Sequence, residues 1–492
     1  MGLDALHINS VGSSNTANGY EALKCNISGS SNVAIGVRAL WTNTDRSNLV
    51  AVGDSALYNN GLGASQFYHA TLNTAIGSKT LFSNTTGDNN TAMGYQALNS
   101  NTTGSSNTAS GSRALYSNTT GFVNAALGAQ TLTSNTTGYC NTAAGYGALL
   151  SNTSGYSNSA CGYMALYWNT TGYGNTVSGI NSLFYNTTGH SNVAVGVDAL
   201  YSSTDRSNLV AVGDSALYYN GVGAVSYSEA IENTALGSRA LYSNTTGSRN
   251  TAAGFHALTV NTSGTYNTAV GRYALSGNIT GSNNTAMGDG ALSAANNQYL
   301  TGLGHNANVS DNTIYNSSAM GDAAVVNANG KVRIGDATMT VIEGQVDWSY
   351  PSDGRFKSNV REDVKGLDFI LKLRPVVYNF DTRKYTEFLT RNMPSDKQEE
   401  YLNAKDYSES TAICHSGFVA QEVVEAARAV DYEFNGVHIP VNGEDNYSIA
   451  PGQFVAPLVK AIQEQQAMIE EQRAMIQALH QRVASLEAER GR

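Results

Sequence analysis

The apolar positions in the first two thirds of the chain are small, sparse and evenly spaced. They belong to a unit reading Asn-Thr-Ala-x-Gly-x-x-Ala-Leu-x-Ser-Asn-Thr-Thr-Gly-x-x, whose central glycines fall at 77, 94, 111, 128, 145, 162, 179, 196 and 213, a constant step. The same step joins 19, 36 and 53, and then 237, 254, 271 and 288, which makes sixteen units. Two steps are longer, from 53 to 77 and from 213 to 237, and they sit in a larger duplication where residues 32–90 match 192–250 at an offset of 160. Gly304, Gly321 and Gly335 continue the series less regularly. So short a unit has no room for a helix pair. The Asn-Thr-Thr-Gly tetrads are turn chemistry, with local hydrogen bonding by Asn and Thr and positive φ taken up by Gly. Segments such as 90–94 and 96–98 suit one or two strand pleats each. No unit can bury a core alone, so the pattern predicts a β-solenoid over residues 1–335. Its sixteen coils, at about 4.8 Å per stacked strand, make a rod of roughly 75 Å.

From Lys331 the texture changes. Val332-Arg333-Ile334 and Met339-Thr340-Val341-Ile342 read as strands leading to Trp348 in a connector over 336–351. Apolar residues at 367, 370, 371 and 373 predict a short helix ended by Pro375, followed by a strand through Tyr378 and Phe380. Residues 381–410 are polar and charged, as in a surface insertion or an exposed helix. A strand turning into a helix is expected at 417–423, and a second Tyr-containing segment near Tyr447, which completes a small α+β domain over 352–454. From 455 to 492, Leu458, Ile462, Gln465, Ile469, Gln472, Ile476, Leu479, Val483 and Leu486 step by four and three. That is a four-heptad coiled coil whose two Gln positions fix register at some cost in stability.

Composition sharpens the division. All six prolines lie after residue 350, and charged residues make up only 13% of the chain. The net charge of −10 argues against a nucleic-acid binder and against attraction to anionic membranes. No window approaches the unbroken apolar run of a membrane span. The first residues lack a basic n-region and an apolar run, so an exported adhesin with its own anchor is not expected. Cys25, Cys140 and Cys161 occupy different phases of the repeat, and with Cys414 they predict free thiols rather than bridges or a metal site; no cofactor is indicated. The many Asn-x-Thr/Ser triplets are read as turns rather than glycosylation sites. Tyr116, Tyr167, Tyr201, Tyr218 and Tyr242, with Phe184, share one phase; they can stack on sugar rings or pack against the next coil or subunit. Asn99, Thr133 and Leu150 interrupt that stripe, and acidic residues are too sparse in the coils for a polysaccharide-cleaving pair.

Two resemblances carry the functional reading. Segments such as Asn192-Val193-Ala194-Val195-Gly196 resemble the head repeats of trimeric bacterial adhesins, whose units form a trimeric β-roll. Trimerisation would thicken a core made mainly of Ala, Leu, Val and Gly. Over about residues 350–490, four ordered motifs resemble the intramolecular chaperone domain first recognised in phage endosialidases, also classified as the self-cleaving peptidase S74 family. They are Ser-Asp-x-Arg-Phe-Lys at 352–357, Gly-Leu-x-x-Ile-x-x-Leu-x-Pro at 366–375, Gly-Phe-x-Ala-Gln-Glu at 417–422 and Leu-Val-Lys-Ala-Ile-Gln-Glu-Gln at 458–465. Phe356 replaces the usual Leu, and Ile449-Ala450-Pro451-Gly452 stands where an Asp-Tyr dipeptide is more common.

The family implies a Ser/Lys dyad, which maps onto Ser352 and Lys357. A serine hydroxyl needs a base to take its proton, and a lysine is a base only when burial makes it neutral near physiological pH. Trimer assembly can supply that burial. The bond cut is Pro351–Ser352 by attack on the preceding carbonyl, or Ser352–Asp353 by another arrangement; Glu422 and His415 are further polar candidates. Together these features predict a homotrimeric phage tail fibre or spike, virion-borne and assembled in the host cytoplasm, with a host glycan or protein as receptor. Its C-terminal domain is expected to register three chains and then remove itself. The alternatives are a bacterial surface adhesin that keeps the domain as a permanent cap, and a fibre-borne glycan-degrading enzyme.

Overall fold

A computed structural model describes residues 2–345, 348, 349, 351–393, 395–443 and 445–490. Parts of the expected connector (346, 347 and 350) and the last two residues of the expected coiled coil lie outside the described residues. The chain forms two compact units, Met1–Ile334 and Gly335–Arg492. No helix among the described residues is long and apolar enough to cross a membrane.

The first unit is a β-solenoid with a 19-stranded sheet along it, and near its end Asn308–Val309 and Val325–Val326 form a separate parallel pair. Each regular coil contributes a three-residue strand that opens the repeat, such as Thr91–Met93 or Thr108–Ser110. Neighbouring strands pair parallel and in phase, Thr91 on Thr108, Ala92 on Ala109 and Met93 on Ser110. Side chains alternate across a strand, so the central Ala is buried and its neighbours face outward. Gly94 follows at φ 129°, and a Cβ there would strike the carbonyl of Gly111 in the next coil. Small residues therefore let one backbone lie directly on another.

Three expectations for the shaft need correction. The Ala-Leu segment is not a strand: Gln96 and Leu98 take left-handed conformations, φ 58° and 49°, so 96–98 is a turn. The conformation is unfavourable for L-residues by roughly 1–2 kcal/mol. It is held by burial of the leucine column and by a bond from Leu98 N to Ala114 O in the next coil, 2.9 Å. The tetrad glycines are not the ones at positive φ; Gly104 is required because a Cβ would run into Gly121 O and Asn101 Oδ1. The tetrad asparagines are core residues rather than surface turn-formers. Asn118 is fully buried, donates from Nδ2 to Asn101 Oδ1 (2.7 Å) and Gly121 O (3.0 Å), and accepts from Asn135 Nδ2 (2.8 Å). A second buried column starts the strands, with Asn107 Nδ2 donating to Asn90 Oδ1 at 3.1 Å and Gly121 O at 2.9 Å. Asn84, Asn101, Asn118, Asn135, Asn169, Asn186 and Asn244, which head Asn-Thr-Thr triplets, are inaccessible in the folded shaft.

The aromatic stripe stacks coil on coil. Tyr167, Phe184, Tyr201, Tyr218 and Tyr242 follow at centroid spacings of 5.0–5.4 Å. A second, unforeseen column runs through Phe122, Tyr139, Tyr156, Tyr173 and His190, with planes within 9° of parallel. Rings stacked this way cover each other's faces, so within the columns only ring edges and hydroxyls are open to a sugar. Desolvation, with Tyr185 beside it, pushes the Tyr201 phenol up to about 12.

The two long steps are loops held by buried arginines. Arg46 Nη1 and Nη2 donate to Gln66 O (2.7 Å) and Ala64 O (2.8 Å). Arg206 repeats the clamp on Ser226 O (2.7 Å) and Ala224 O (3.2 Å). Each Nε lies 3.2–3.3 Å from the preceding aspartate, Asp45 or Asp205. The clamped loops present Phe67 and Tyr227 at 86% and 87% exposure. Arg206→Ala is expected to make the 221–232 loop the first site of limited proteolysis, while the far-ultraviolet circular dichroism of the shaft is unchanged. Unchanged protease resistance would show that the loop does not depend on its clamp.

In the second unit, α1 (Leu367–Ile370) ends before Pro375 as expected and buries Phe369 among Tyr432, Phe434 and Phe454. Strands Val376–Asn379 and Cys414–Gly417 pair antiparallel around an insertion of three helices, α2 (Thr382–Thr390), α3 (Ser395–Asn403) and α4 (Ser408–Ala412). Next come α5 (Ala420–Arg428), the short pair Val437–His438 with Ser448–Ile449, and α6 (Val455–Arg490). Leu367 N donates to Glu464 Oε2 at 2.7 Å, pinning α1 to α6. Residues 339–342 are not a strand, which corrects the expected connector: Met339, Val341 and Ile342 are exposed. The heptad positions Leu458, Ile462, Ile476, Leu479, Val483 and Leu486 of α6 are also exposed, so this apolar seam is unpartnered in one chain.

Candidate functional site

The site is built on a single turn of 3-10 helix, Gly354–Phe356. Asp353 caps it: Oδ1 accepts from Arg355 N at 2.9 Å, while Oδ2 accepts from Arg355 Nε at 2.9 Å and Nη2 at 2.6 Å. Phe356 N and Lys357 N donate back to Asp353 O and Gly354 O, at 3.1 and 3.2 Å. The chain reverses within these bonds, so Lys357 lies against Ser352. Lys357 Nζ donates to Ser352 Oγ at 2.8 Å. The Arg355 guanidinium holds the Asp353 carboxyl below its usual range. Pro351, Ser352, Asp353 and Lys357 are all exposed in the single chain.

The other sequence candidates lie elsewhere. Glu422, in the first turn of α5, is gripped by Arg374 through Nε at 3.1 Å and Nη2 at 2.5 Å, which lowers its carboxyl pKa. His415 sits opposite Tyr378 in the antiparallel pair and stacks on it at 5.6 Å. Neither bonds to Ser352 or Lys357. Both brace the strand-to-helix segment.

Residues 352–432 match the family model Peptidase_S74, described as the chaperone of endosialidase. The matched segment begins at Ser352 and contains Lys357, Arg374, His415 and Glu422. The family name joins a peptidase and a chaperone in one module, and here the matched segment follows a β-solenoid. No curated protein matches the chain.

Two features near the matched segment have no signature in the sequence. One is a shielded ion pair: Lys405 Nζ donates to Asp336 Oδ2, with the two side chains only 14% and 12% exposed. Thr338 N and Oγ1 also donate to Asp336, at 3.0 and 2.7 Å, and Lys405 lies over the Tyr401 ring at 4.9 Å. A separation of 69 residues gives no sequence signal for such a pair. The other is a cleft of about 1080 Å³ lined by Tyr378, Phe388, Phe418, Tyr447, Phe454 and Leu458. Its rim includes Leu458, the first residue of the exposed α6 seam. Among the described residues no cluster of His, Cys, Asp or Glu is arranged to hold a metal ion.

Proposed function

We propose that the chain is a subunit of a homotrimeric phage tail fibre or spike that attaches to a host surface. Its C-terminal domain registers three chains and then releases itself by cleavage beside Ser352. The observation that carries the cleavage reading is the 2.8 Å contact of Lys357 Nζ with Ser352 Oγ at the first residue of the family match. The exposed heptad seam of α6 supports the trimer, and a three-chain bundle would shield the dyad that lies open in one chain. The clamped loops bearing Phe67 and Tyr227 support attachment, because their backbones are clamped and their rings are exposed.

In this mechanism neutral Lys357 takes the proton from Ser352 Oγ as that oxygen attacks the Pro351 carbonyl carbon. The addition forms a five-membered ring; attack by Ser352 on its own carbonyl would need a strained four-membered one. The Pro351–Ser352 C–N bond breaks, the lysine proton goes to the departing nitrogen, and Pro351 is left as an ester on Oγ. Water then hydrolyses the ester, leaving a carboxylate on Pro351 and restoring the Ser352 hydroxyl beside the amine already freed. Intact-mass analysis of the wild-type chain and Ser352→Ala, expressed side by side, tests this. The wild type is expected to yield a fragment ending at Pro351, and the variant only the 51.8 kDa chain. Trimers of uncut wild-type chain would instead make the domain a retained cap.

The Asp336–Lys405 pair spans the proposed cut, with Asp336 upstream and Lys405 downstream. The cleaved domain is therefore expected to stay bound until the pair is broken. Burial works against the Asp336 charge, but the bonds from Lys405 and Thr338 outweigh it and lower the pKa. Burial likewise disfavours charge on Lys405, and Asp336 reverses that and raises it. The stabilisation is thus full from above the ordinary Asp range to below the ordinary Lys range. It is lost as pH falls through the depressed Asp336 value or rises through the elevated Lys405 value. Lys405→Met leaves a shielded carboxylate unpaired and is expected to weaken retention by about 3 kcal/mol. Size-exclusion chromatography of cleaved wild type and variant at neutral pH, showing equal retention, would refute this.

A further inference from the structure

We propose that Arg355 is a positioning residue for the cleavage, holding the Asp353 carboxylate in a two-pronged grip that keeps its charge off Lys357. The inference rests on the self-cleavage reading and adds a component to it. A lysine base works only when neutral, and a nearby carboxylate stabilises its ammonium form. Asp353 is adjacent in sequence to Ser352, the residue Lys357 touches, so an ungripped carboxylate would lie within reach of Nζ.

The geometry answers that conflict. Both Asp353 oxygens are engaged by Arg355, Oδ1 by its backbone N at 2.9 Å and Oδ2 by Nε and Nη2 at 2.9 and 2.6 Å. The guanidinium also rests over the Phe356 ring at 5.6 Å, a second contact that holds it in place. Lys357 makes its one bond to Ser352 Oγ and no ion pair among the described residues. The next charged side chains along the exposed segment are Arg361, Glu362 and Asp363; Arg361 pairs with Asp363 at 3.2 Å, and none of the three bonds to Lys357. Asp353 is thus the carboxylate placed to affect the lysine, and Arg355 is the group that occupies it. The grip also explains why an acid beside the nucleophile is compatible with a lysine base: the acid caps the turn that brings the dyad together, and the arginine neutralises it.

The test is the pH profile of cleavage in the full chain, made by cell-free synthesis and shifted into buffers from pH 6 to 10, with trimer content followed on native gels. Arg355→Gln frees the carboxylate and is expected to move the alkaline-rising limb up by about one pH unit, or about tenfold slower at fixed pH on that limb. Asp353→Asn combined with Arg355→Gln removes the freed charge while keeping a capping side chain, and is expected to return the limb towards the wild-type position. If Arg355→Gln trimerises and cleaves with the wild-type profile, the inference is wrong. It is equally wrong if single and double variants are slowed alike at every pH, because Arg355 would then only shape the turn. A wild-type chain that stays whole at all pH values overturns the self-cleavage reading itself, an outcome distinct from either of these.

Discussion

Lys357→Arg is expected to leave the chain whole at every pH up to about 11, a complete loss of cleavage rather than a slower reaction. The substitution keeps the positive charge, much of the length and the capacity to donate to Ser352 Oγ, now 2.8 Å from Nζ. A structural contact would therefore survive it. What arginine cannot do is lose its proton: the guanidinium pKa lies above about 12, so no neutral base forms in the accessible range. Lysine starts near 10.4 and loses its proton readily when desolvated, which the assembled trimer would provide. Intact-mass measurement after prolonged incubation of Lys357→Arg trimers at pH 7 and 10 decides the matter. A fragment ending at Pro351 would show that Lys357 anchors the turn and does not act as the base.

The second large effect is expected in the shaft. Asn118→Asp exchanges the Nδ2 that donates to Asn101 Oδ1 and Gly121 O, at 2.7 and 3.0 Å, for an oxygen facing two oxygens. The site is fully buried, so the new carboxyl must be protonated or remain as an unpaired buried charge. A protonated acid restores one of the two donor bonds and leaves the other acceptor bare. The loss is about 3 kcal/mol at neutral pH. The sign of its pH dependence is fixed as well. Burial raises the folded-state pKa of the introduced Asp, so the folded state binds more protons than the unfolded one above the ordinary Asp range, and stability falls as pH rises. Denaturant unfolding at pH 4.5 and 7.5 is expected to show a larger deficit against wild type at pH 7.5. A deficit independent of pH would mean that the column is hydrated and not part of the core.

The period of the shaft was legible because glycine is needed wherever one coil's backbone lies on the next, and those glycines recur at one constant step. The Ala and Leu columns, the helix ending before Pro375 and the heptad spacing of α6 were legible for similar reasons: each is a local pattern with one physical meaning. The asparagine columns were not. Read in one coil, Asn-Thr-Thr-Gly is turn chemistry. Only the coil above, offering an amide oxygen and a glycine carbonyl, turns Asn118 into a core residue. The left-handed Gln96 and Leu98 were missed for the same reason, since their bonds go to another coil. In the candidate site, Ser352 and Lys357 were visible as a motif, but the grip of Arg355 on Asp353 and the pairing of Asp336 with Lys405 depend on chain reversal and on distant segments.

The clamped loops have a consequence for winding. Between coils of identical length, a chain that skips one unit still lays Ala on Ala and Asn on Asn, and nothing local reports the mistake. Arg46 and Arg206 break that degeneracy, because each finds its carbonyl partners only when the coil that follows is the long one. Wound against an ordinary coil, either guanidinium would be buried without acceptors, at a cost of several kcal/mol. The two long steps thus act as proofreading marks on an otherwise featureless scale, one in each half of the duplicated shaft.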